Sequence, residues 1–259
     1  MTIQEAIEAR HSVRAYRNEP LAEDACRQLE EEIAEVNQRG RLHIQLIQDE
    51  PKAFQGTLAK YGKFRNVTSY LVMAGKKADD LDERIGYYGE HLVLLAQTLG
   101  LNTCWVGLSY KKIPNTYVLD EGEVIRAYIA IGYGETQGTS HKIKTVEQVS
   151  RSAVKPLGSS KNASETTFPQ SRLPVAFAFP RRRRLSVPSW FKKGVEAALL
   201  APTAVNQQKF SFEYVGMKDN CHQVRAKKGF SMIGYTQIDL GIAKYHFEIG
   251  AGKACFEWI

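Results

Sequence analysis

The sequence is divided by residues 151–188, a stretch without periodic apolar residues, and the segments on either side of it repeat one order of elements. Each segment begins with a short helical pattern, which contains Ile7-Glu8-Ala9 in the first and Val195-Glu196-Ala197 in the second. A polar motif, strand-like patterns and a glycine-containing helix then follow in both. This weak internal repeat predicts two related halves, residues 1–150 and 189–259, joined by a linker or irregular excursion.

Helical and strand-like periodicities alternate within each half. A helix is expected between Pro20 and Gly40, because a proline near its start and a glycine at its end are typical boundary residues. Leu42, Ile44 and Leu46 alternate as in a half-buried strand. Further strands are expected at 70–74, 124–131 and 210–214, and Cys104 and Trp105 are interpreted as buried strand residues. Further helices are expected at 79–100, 190–201 and 239–249, the last capped by Asp239.

Composition limits the class of protein. Of the 259 residues, 43% are hydrophobic and 24% are charged, which is typical of a soluble globular protein. The net charge of +7 favours anionic ligands such as nucleotide cofactors or nucleic acid. Four cysteines without CxxC spacing indicate neither a zinc site nor a disulfide framework, so reduced thiols in the cytoplasm are expected. Neither a signal peptide nor a membrane span is indicated by the apolar runs.

The stretch from Arg10 to Tyr16 contains side chains that are suited to binding an anion. Arg10, Ser12 and Arg14 alternate, so in an extended segment their side chains leave on one face. Two guanidinium groups and a hydroxyl suit a phosphate monoester. From the spacing alone, side chains that are merely solvated near a helix end remain an equal alternative.

Arg-His-Ser-Val-Arg-Ala-Tyr after a Glu-Ala-Ile-Glu-Ala helix resembles the opening of the FMN-dependent nitroreductase family. The resemblance implies that Arg10 and Ser12, with His11 between them, bind the flavin phosphate. It also implies that Arg14 faces the ribityl chain and the ring.

Two further stretches are similar to that family. Residues 99–107 resemble the turn whose glycine passes close to the flavin, which implicates Gly107, a residue that lets backbone approach a ligand. Cys104 within it is interpreted as a buried strand residue. Gly132-Tyr133-Gly134 and the basic residues after it resemble the segment that closes over the flavin phosphate. This similarity implicates Lys142 and Lys144, with a solvated basic loop as the alternative.

The segment from Ala201 to Phe210 is similar to the family's Ala-Pro-Ser-x-x-Asn-x-Gln-Pro-Trp motif. A side-chain amide both donates and accepts hydrogen bonds, as the flavin pyrimidine requires. The alternative is a capped turn in which Asn206 satisfies nearby backbone groups. Lys209 and Phe210 replace the family's Pro-Trp. The cofactor contacts implied here are Pro202, Thr203, Asn206 and Gln208.

The order of these motifs resembles the atypical branch called the "putative TM nitroreductases". The resemblance implies an α+β, nitroreductase-like fold in which antiparallel or mixed sheets are flanked by helices about a pseudo-twofold axis. Ordinary family members build each site from two subunits, whereas both contributing motifs are present in this chain. An internal pseudo-dimer with one FMN per chain is therefore expected, as a monomer or within a homodimer.

The function implied is an FMN-dependent oxidoreductase that takes hydride from NADH or NADPH and reduces a nitro compound, quinone or related small-molecule acceptor. No catalytic side chain and no metal are expected, because the flavin carries the chemistry. A flavin-binding sensor or carrier without turnover is the alternative. The arginine cluster at 181–184 raises a second alternative, nucleic-acid binding, but no aromatic stacking motif accompanies it, so neither nucleic acid nor membrane is expected as a partner.

Overall fold

The computed structural model describes residues 1–154, 187–252, 254 and 256–259. These residues form an α+β fold with two four-stranded sheets and flanking helices, which confirms the predicted fold class. Most of the linker expected at 151–188, including the arginine cluster at 181–184, lies outside the described residues. Among the described residues, no helix has the length and apolar character needed to cross a membrane.

The first sheet is antiparallel throughout. Alternate residues of its second strand face two different apolar clusters: Leu71 and Met73 face one, and Tyr70 and Val72 face the other. Because both faces are covered, this strand reads as a continuous apolar run. The strands are β1 (Gln45–Ile47), β2 (Ser69–Lys76), β3 (Asn102–Val106) and β4 (Glu123–Gly132), in the order β1-β2-β4-β3.

The second sheet is mixed. Its strands are β5 (Ser150–Ser152), β6 (Phe210–Lys218), β7 (Cys221–Lys228) and β8 (Phe256–Trp258), paired in chain order. The central pair, β6 and β7, is antiparallel, and the two short outer strands pair in parallel. β5 crosses the boundary expected between the first half and the linker, so Arg151 and Ser152, which were expected in the linker, form part of this sheet.

Seven α-helices surround the sheets in the described part of the chain. They are α1 (Ile3–Ala9), α2 (Glu23–Gly40), α3 (Thr57–Tyr61), α4 (Leu81–Thr98), α5 (Val146–Val149), α6 (Ser189–Leu199) and α7 (Thr236–Ala251). Two 3₁₀ turns lie at Lys52–Phe54 and Ala204–Asn206.

The two halves share one apolar core. α4 from the first half packs against α7 from the second, and their backbones approach closely at Gly86 and Gly241. The largest buried cluster joins residues of both sheets, such as Ile129 of β4 and Phe212 of β6, to the helices between them. The segments on either side of the linker are therefore packed together through these helices.

Most of the strongly periodic elements lie where the sequence predicts them, with three differences. The strand expected at Leu42, Ile44 and Leu46 is displaced, because β1 begins at Gln45 and leaves Leu42 and Ile44 before it. Asp239 lies inside α7 and does not cap it, since that helix begins at Thr236 and the Asp239 carboxylate accepts hydrogen bonds from the 204–207 turn. β7 gives no clear alternation in the sequence, because Val224 is its one fully buried residue.

Candidate functional site

The Arg10 motif leaves α1 in an extended conformation and runs beside β3. α1 begins with a capping box in which the Thr2 and Glu5 side chains each accept a hydrogen bond from the other residue's N–H. Arg10 ends the helix with extended φ and ψ of −71° and 122°. The Val13 N–H then donates to the Thr103 carbonyl at 3.0 Å. The edge strand of the first sheet therefore fixes the position of the motif.

Arg10, Ser12 and Arg14 share one neighbour, the thiol of Cys104. Burial raises the pKa of this thiol, while Arg14, a hydrogen bond with Ser12, and Arg10 act in the opposite direction. All three residues thus act on the pKa of one buried thiol. Their exposure differs, since Arg10 is only 3% exposed and Arg14 is exposed. Cys104 itself is buried in β3, in agreement with a packing role.

Arg10 is a buried cation whose hydrogen bonds are incomplete. Its Nε lies 3.8 Å from Oε1 of Glu90, too far for a hydrogen bond. That Nε is buried without a hydrogen-bond partner among the described residues. Burial lowers the pKa of Arg10, whereas Glu90 and Cys104 raise it. Since buried polar atoms are nearly always hydrogen-bonded in native proteins, the free Nε indicates a place for an acceptor.

Glu90 of α4 is the centre of this buried group. It is fully buried, and its Oε2 accepts a hydrogen bond from Trp105 Nε1 at 2.8 Å. Its Oε1 lies 2.8 Å from Nε2 of His246, a fully buried residue of α7. The other ring nitrogen of His246, Nδ1, donates to the Ala197 carbonyl of α6 at 3.1 Å. The side chains and the carbonyl group around Arg10 therefore come from α4, α6, α7 and β3.

The loop that follows β4 crosses the Arg10 motif. Gly138, with φ of +76°, lies so close that a Cβ there would be 2.8 Å from His11 Cβ and 3.2 Å from the Ser12 carbonyl oxygen. This position needs glycine both for its left-handed backbone and for the contact. The half-buried His11 therefore lies beneath the loop that leads to the basic residues Lys142 and Lys144.

His141 connects this loop to the end of α6. Its Nε2 donates to the Leu199 carbonyl at 3.3 Å. Burial lowers the pKa of His141, the bond to Leu199 raises it, and the charges of Arg10, His11 and His246 lower it. Four basic side chains, two from the Arg10 motif, one from the loop and one from α7, thus influence one another.

The structure brings Lys142 and Lys144 together with Asn206 and Gln208. Asn206 Nδ2 and Gln208 Nε2 both donate to the Lys142 carbonyl, at 2.9 and 2.8 Å. Gln208 Nε2 also donates to Asn206 Oδ1 at 2.8 Å, and Gln208 Oε1 accepts from the Lys144 N–H at 2.9 Å. The Lys144 amine donates to the Gln208 carbonyl at 2.6 Å. Motifs from the two halves are therefore joined within one chain.

These bonds use much, but not all, of the hydrogen-bonding capacity of the two amides. Gln208 is buried and satisfied within the protein. Asn206 is exposed and keeps one N–H and one acceptor position, since an amide has two of each. The capped-turn interpretation of Asn206 thus describes part of its role, and a free donor and acceptor remain.

The backbone between Thr203 and Gln208 is strained. Val205 has φ of +46°, which is unfavourable for a β-branched residue, and Asn206 and Gln208 also have positive φ. The Thr203 hydroxyl accepts from the Gln208 N–H at 3.0 Å, and Pro202 before it is buried. Strain of this kind persists only where surrounding contacts impose it, and it is concentrated at functional sites.

Asp239 of α7 supplies one of those contacts. Its Oδ1 accepts from the Ala204 N–H at 2.9 Å, and its Oδ2 accepts from Gln207 Nε2 at 2.6 Å. Burial raises the pKa of Asp239 to about 6, against the opposing effect of these two bonds. The carboxylate therefore anchors the strained turn to the first turn of α7.

Gly107 lies against a side chain that sequence reasoning did not identify. A Cβ at Gly107 would be 2.5 Å from the ring of Tyr235, whose hydroxyl donates to the Gly107 carbonyl at 2.9 Å. The close approach expected at this glycine is thus made by the Tyr235 ring in this structure. Tyr235 precedes α7 with φ of +60°.

Sequence reasoning missed Glu90 and His246. The sequence does contain a signal for them, because each is a polar residue on the apolar side of a predicted helix. Glu90 lies four residues before Leu94, and His246 lies four residues after Ile242, at positions that helical periodicity assigns to the core. Which of them would meet could not be predicted from periodicity.

Comparisons with known proteins place the chain in a family. The family profile described as "Putative TM nitroreductase" matches residues 2–157 and 153–251. A crystal structure described as a "putative nitroreductase" from Thermotoga maritima shares the fold, with a TM-score of 0.57 and 22% identity over 95% of this chain and 82% of its own. No curated protein matches significantly.

Two smaller structures are less similar. A "putative nitroreductase" from Desulfovibrio desulfuricans, solved with FMN, has a TM-score of 0.45 and 18% identity over 61% of this chain and 99% of its own. A "Putative NADH Oxidase" from Clostridium acetobutylicum has a TM-score of 0.43 and 15% identity over 54% of this chain and 94% of its own. On the family profile, which covers most of the sequence, the chain belongs to the nitroreductase family described as "Putative TM nitroreductase".

Proposed function

We propose that the protein is an FMN-dependent oxidoreductase that takes hydride from NADH or NADPH and reduces nitro compounds, quinones or related acceptors. The observation that carries the proposal is the buried Arg10, whose Nε has no hydrogen-bond partner among the described residues. A buried cation of this kind fits the phosphate of a mononucleotide cofactor. Membership of a nitroreductase family supports flavin as that cofactor.

The phosphate would be held by the Arg10 motif and the loop that crosses it. Arg10 supplies a guanidinium, Ser12 a hydroxyl and His11 a ring N–H, and all three are near the 136–141 loop. Lys144 adds positive charge, although its amine also donates to the Gln208 carbonyl. Lys142 provides a further charge on the same loop. Together these groups favour a dianion over a neutral ligand.

The flavin ring would be oriented by Arg14 and the turn at Thr203–Gln208. Asn206 keeps a free N–H and a free acceptor position, which suits an imide edge that presents both. Arg14 is exposed and would favour negative charge on the pyrimidine side of the ring. Pro202, which is buried, precedes this turn, whereas Gly107 contacts the Tyr235 ring.

FMN, when bound, supplies the hydride chemistry, so the side chains need only bind, orient and exclude water. No general acid or base is assigned in this proposal. A flavin sensor or carrier without turnover would use the same binding groups. Anaerobic mixing of the FMN-loaded protein with NADH or NADPH distinguishes the two. In an oxidoreductase the flavin absorbance is bleached at a rate that depends on the nicotinamide concentration, and in a sensor or carrier it is not.

The phosphate assignment is tested by titrating the apoprotein with FMN and with riboflavin, which lacks the phosphate. Arg10→Ala should weaken FMN binding by about 1.5 to 3 kcal/mol, the value of a hydrogen bond to a charged group. Riboflavin binding should change little. Ser12→Ala, which removes only a hydroxyl, should give a smaller loss of the same kind.

Arg27→Ala is the charge-matched control, because Arg27 lies on the exposed face of α2 in surface ion pairs. It should bind FMN as the wild type does. Equal FMN affinity in the wild type and in both site variants would refute the phosphate assignment.

A further inference from the structure

The contact between His246 and Glu90 determines how much charge surrounds Arg10. His246 Nδ1 lies 3.1 Å from the Ala197 carbonyl, which can only accept, so Nδ1 carries a proton. His246 Nε2 lies 2.8 Å from Glu90 Oε1. One proton must lie between these atoms, because two lone pairs would repel each other at that distance.

The pair therefore has no net charge, whichever partner holds the shared proton. If His246 holds it, an imidazolium faces a carboxylate; if Glu90 holds it, both groups are neutral. Trp105 Nε1 donates to the other Glu90 oxygen at 2.8 Å. In both forms Arg10, Glu90 and His246 together carry one positive charge, although all three are buried.

Because Glu90 and His246 together carry no net charge, Glu90 does not act as a full counter-ion of Arg10. At 3.8 Å, Glu90 would look like the counter-ion of Arg10. The carboxylate is, however, already balanced by His246, so no group in the described part of the chain compensates the charge of Arg10. An uncompensated buried charge is very unfavourable, and an anionic ligand would relieve it.

We propose that His246 is a positioning residue which neutralises Glu90 and so leaves the charge of Arg10 for the phosphate of the cofactor. This inference rests on the proposed function, since it assumes that the ligand at Arg10 is the FMN phosphate. His246 acts only through Glu90 and does not touch the ligand.

The test uses FMN and riboflavin titrations of the full-length apoprotein. In His246→Gln the new side chain is neutral at every pH, so an ionised Glu90 is left to pair with Arg10. FMN affinity should fall about tenfold or more, and riboflavin affinity should stay within about twofold, because only the phosphate meets Arg10.

A second variant separates charge from packing. In Glu90→Gln/His246→Gln the carboxylate is absent, so Arg10 again has no counter-ion although the histidine is still missing. FMN affinity should return to within about threefold of that of Glu90→Gln alone, which a merely structural role of His246 would not produce. His91→Gln is the matched control, since His91 of α4 also bonds a glutamate, Glu32, and the variant should bind FMN as the wild type does.

The titrations distinguish a failure of the proposed function from a failure of the role proposed for His246. A wild-type protein that does not bind FMN refutes the proposed function. A wild-type protein that binds FMN while His246→Gln binds it equally well refutes the inference alone. An equal loss of FMN and riboflavin affinity, or a double variant that shows no recovery, also overturns the inference.

Discussion

Gly241 of α7 lies against the backbone carbonyl of Glu83 in α4, where an added Cβ would be 2.0 Å from the carbonyl oxygen. The contact is reciprocal, because a Cβ at Gly86 of α4 would be 2.1 Å from the Ile238 carbonyl oxygen. The two helices thus meet backbone to backbone at this crossing. The same pair of helices carries Glu90 and His246, so the separation of the helices also sets the hydrogen bond between those residues.

Gly241→Ala should destabilise the protein by about 2 kcal/mol. The steric clash alone costs about 3 kcal/mol, because the colliding atom belongs to the backbone and cannot rotate away. The better helix propensity of alanine, about 1 kcal/mol, offsets only part of this. The measurement is urea unfolding followed by circular dichroism.

Gly56→Ala is the matched control for this substitution. A Cβ at Gly56 would meet nothing within 4 Å, so the change in unfolding free energy should be within about 1 kcal/mol. Equal effects of the two substitutions would contradict a close helix contact at Gly241.

The free energy of unfolding of Asp239→Asn, relative to that of the wild type, should rise with pH, although the variant loses one of the two hydrogen bonds that the carboxylate accepts. The Asp239 carboxyl ionises near pH 3.8 in the unfolded chain and near 6 in the folded protein, because burial raises its pKa. Between these values the folded state holds a proton that the unfolded state has lost, so rising pH favours unfolding. The resulting penalty is absent below about pH 4 and complete above about pH 6, where it amounts to about 3 kcal/mol.

The measurement is the difference in unfolding free energy between Asp239→Asn and the wild type at several pH values. This difference should grow in favour of the variant from pH 4 to pH 7. Asp79→Asn removes an exposed carboxylate and is the control. A difference for Asp239→Asn that is constant, or that shrinks as the pH rises, would contradict the role given to burial.

Local patterns in the sequence were sufficient to predict the strongly periodic elements. α2 and α4 follow the expected helical spacing, and β6 follows the expected alternation of Phe210, Phe212 and Tyr214. The common face of Arg10, Ser12 and Arg14, which follows from the alternation of side chains in an extended chain, stays a prediction.

Long-range partners could not be predicted in this way. Glu90 and His246 are 156 residues apart, and Tyr235 and Gly107 are 128 apart. Periodicity places each of these residues on a helix, strand or turn, but the packing of α7 on α4 and β3 decides which of them meet. Asp239 was assigned to a helix cap on local grounds, whereas the tertiary contact with the 204–207 turn determines its hydrogen bonds.

One chain should bind one FMN, and dilution should not release it as long as the concentration of free FMN stays above the Kd of the complex. Motifs from the two halves meet within one molecule, since Asn206 and Gln208 bond the Lys142 carbonyl and His141 bonds the end of α6. A second, symmetry-related site is not expected, because Ala201-Pro202-Thr203 stands where the second half would need its counterpart of Arg10.

An intramolecular site does not depend on protein concentration, whereas a site shared by dissociating subunits does. Flavin absorbance and native mass spectrometry at high and low protein concentration should therefore give the same ratio of one FMN per chain. Two FMN per chain, or flavin released as a dimer separates, would refute the single intramolecular site and indicate the arrangement of ordinary two-subunit family members.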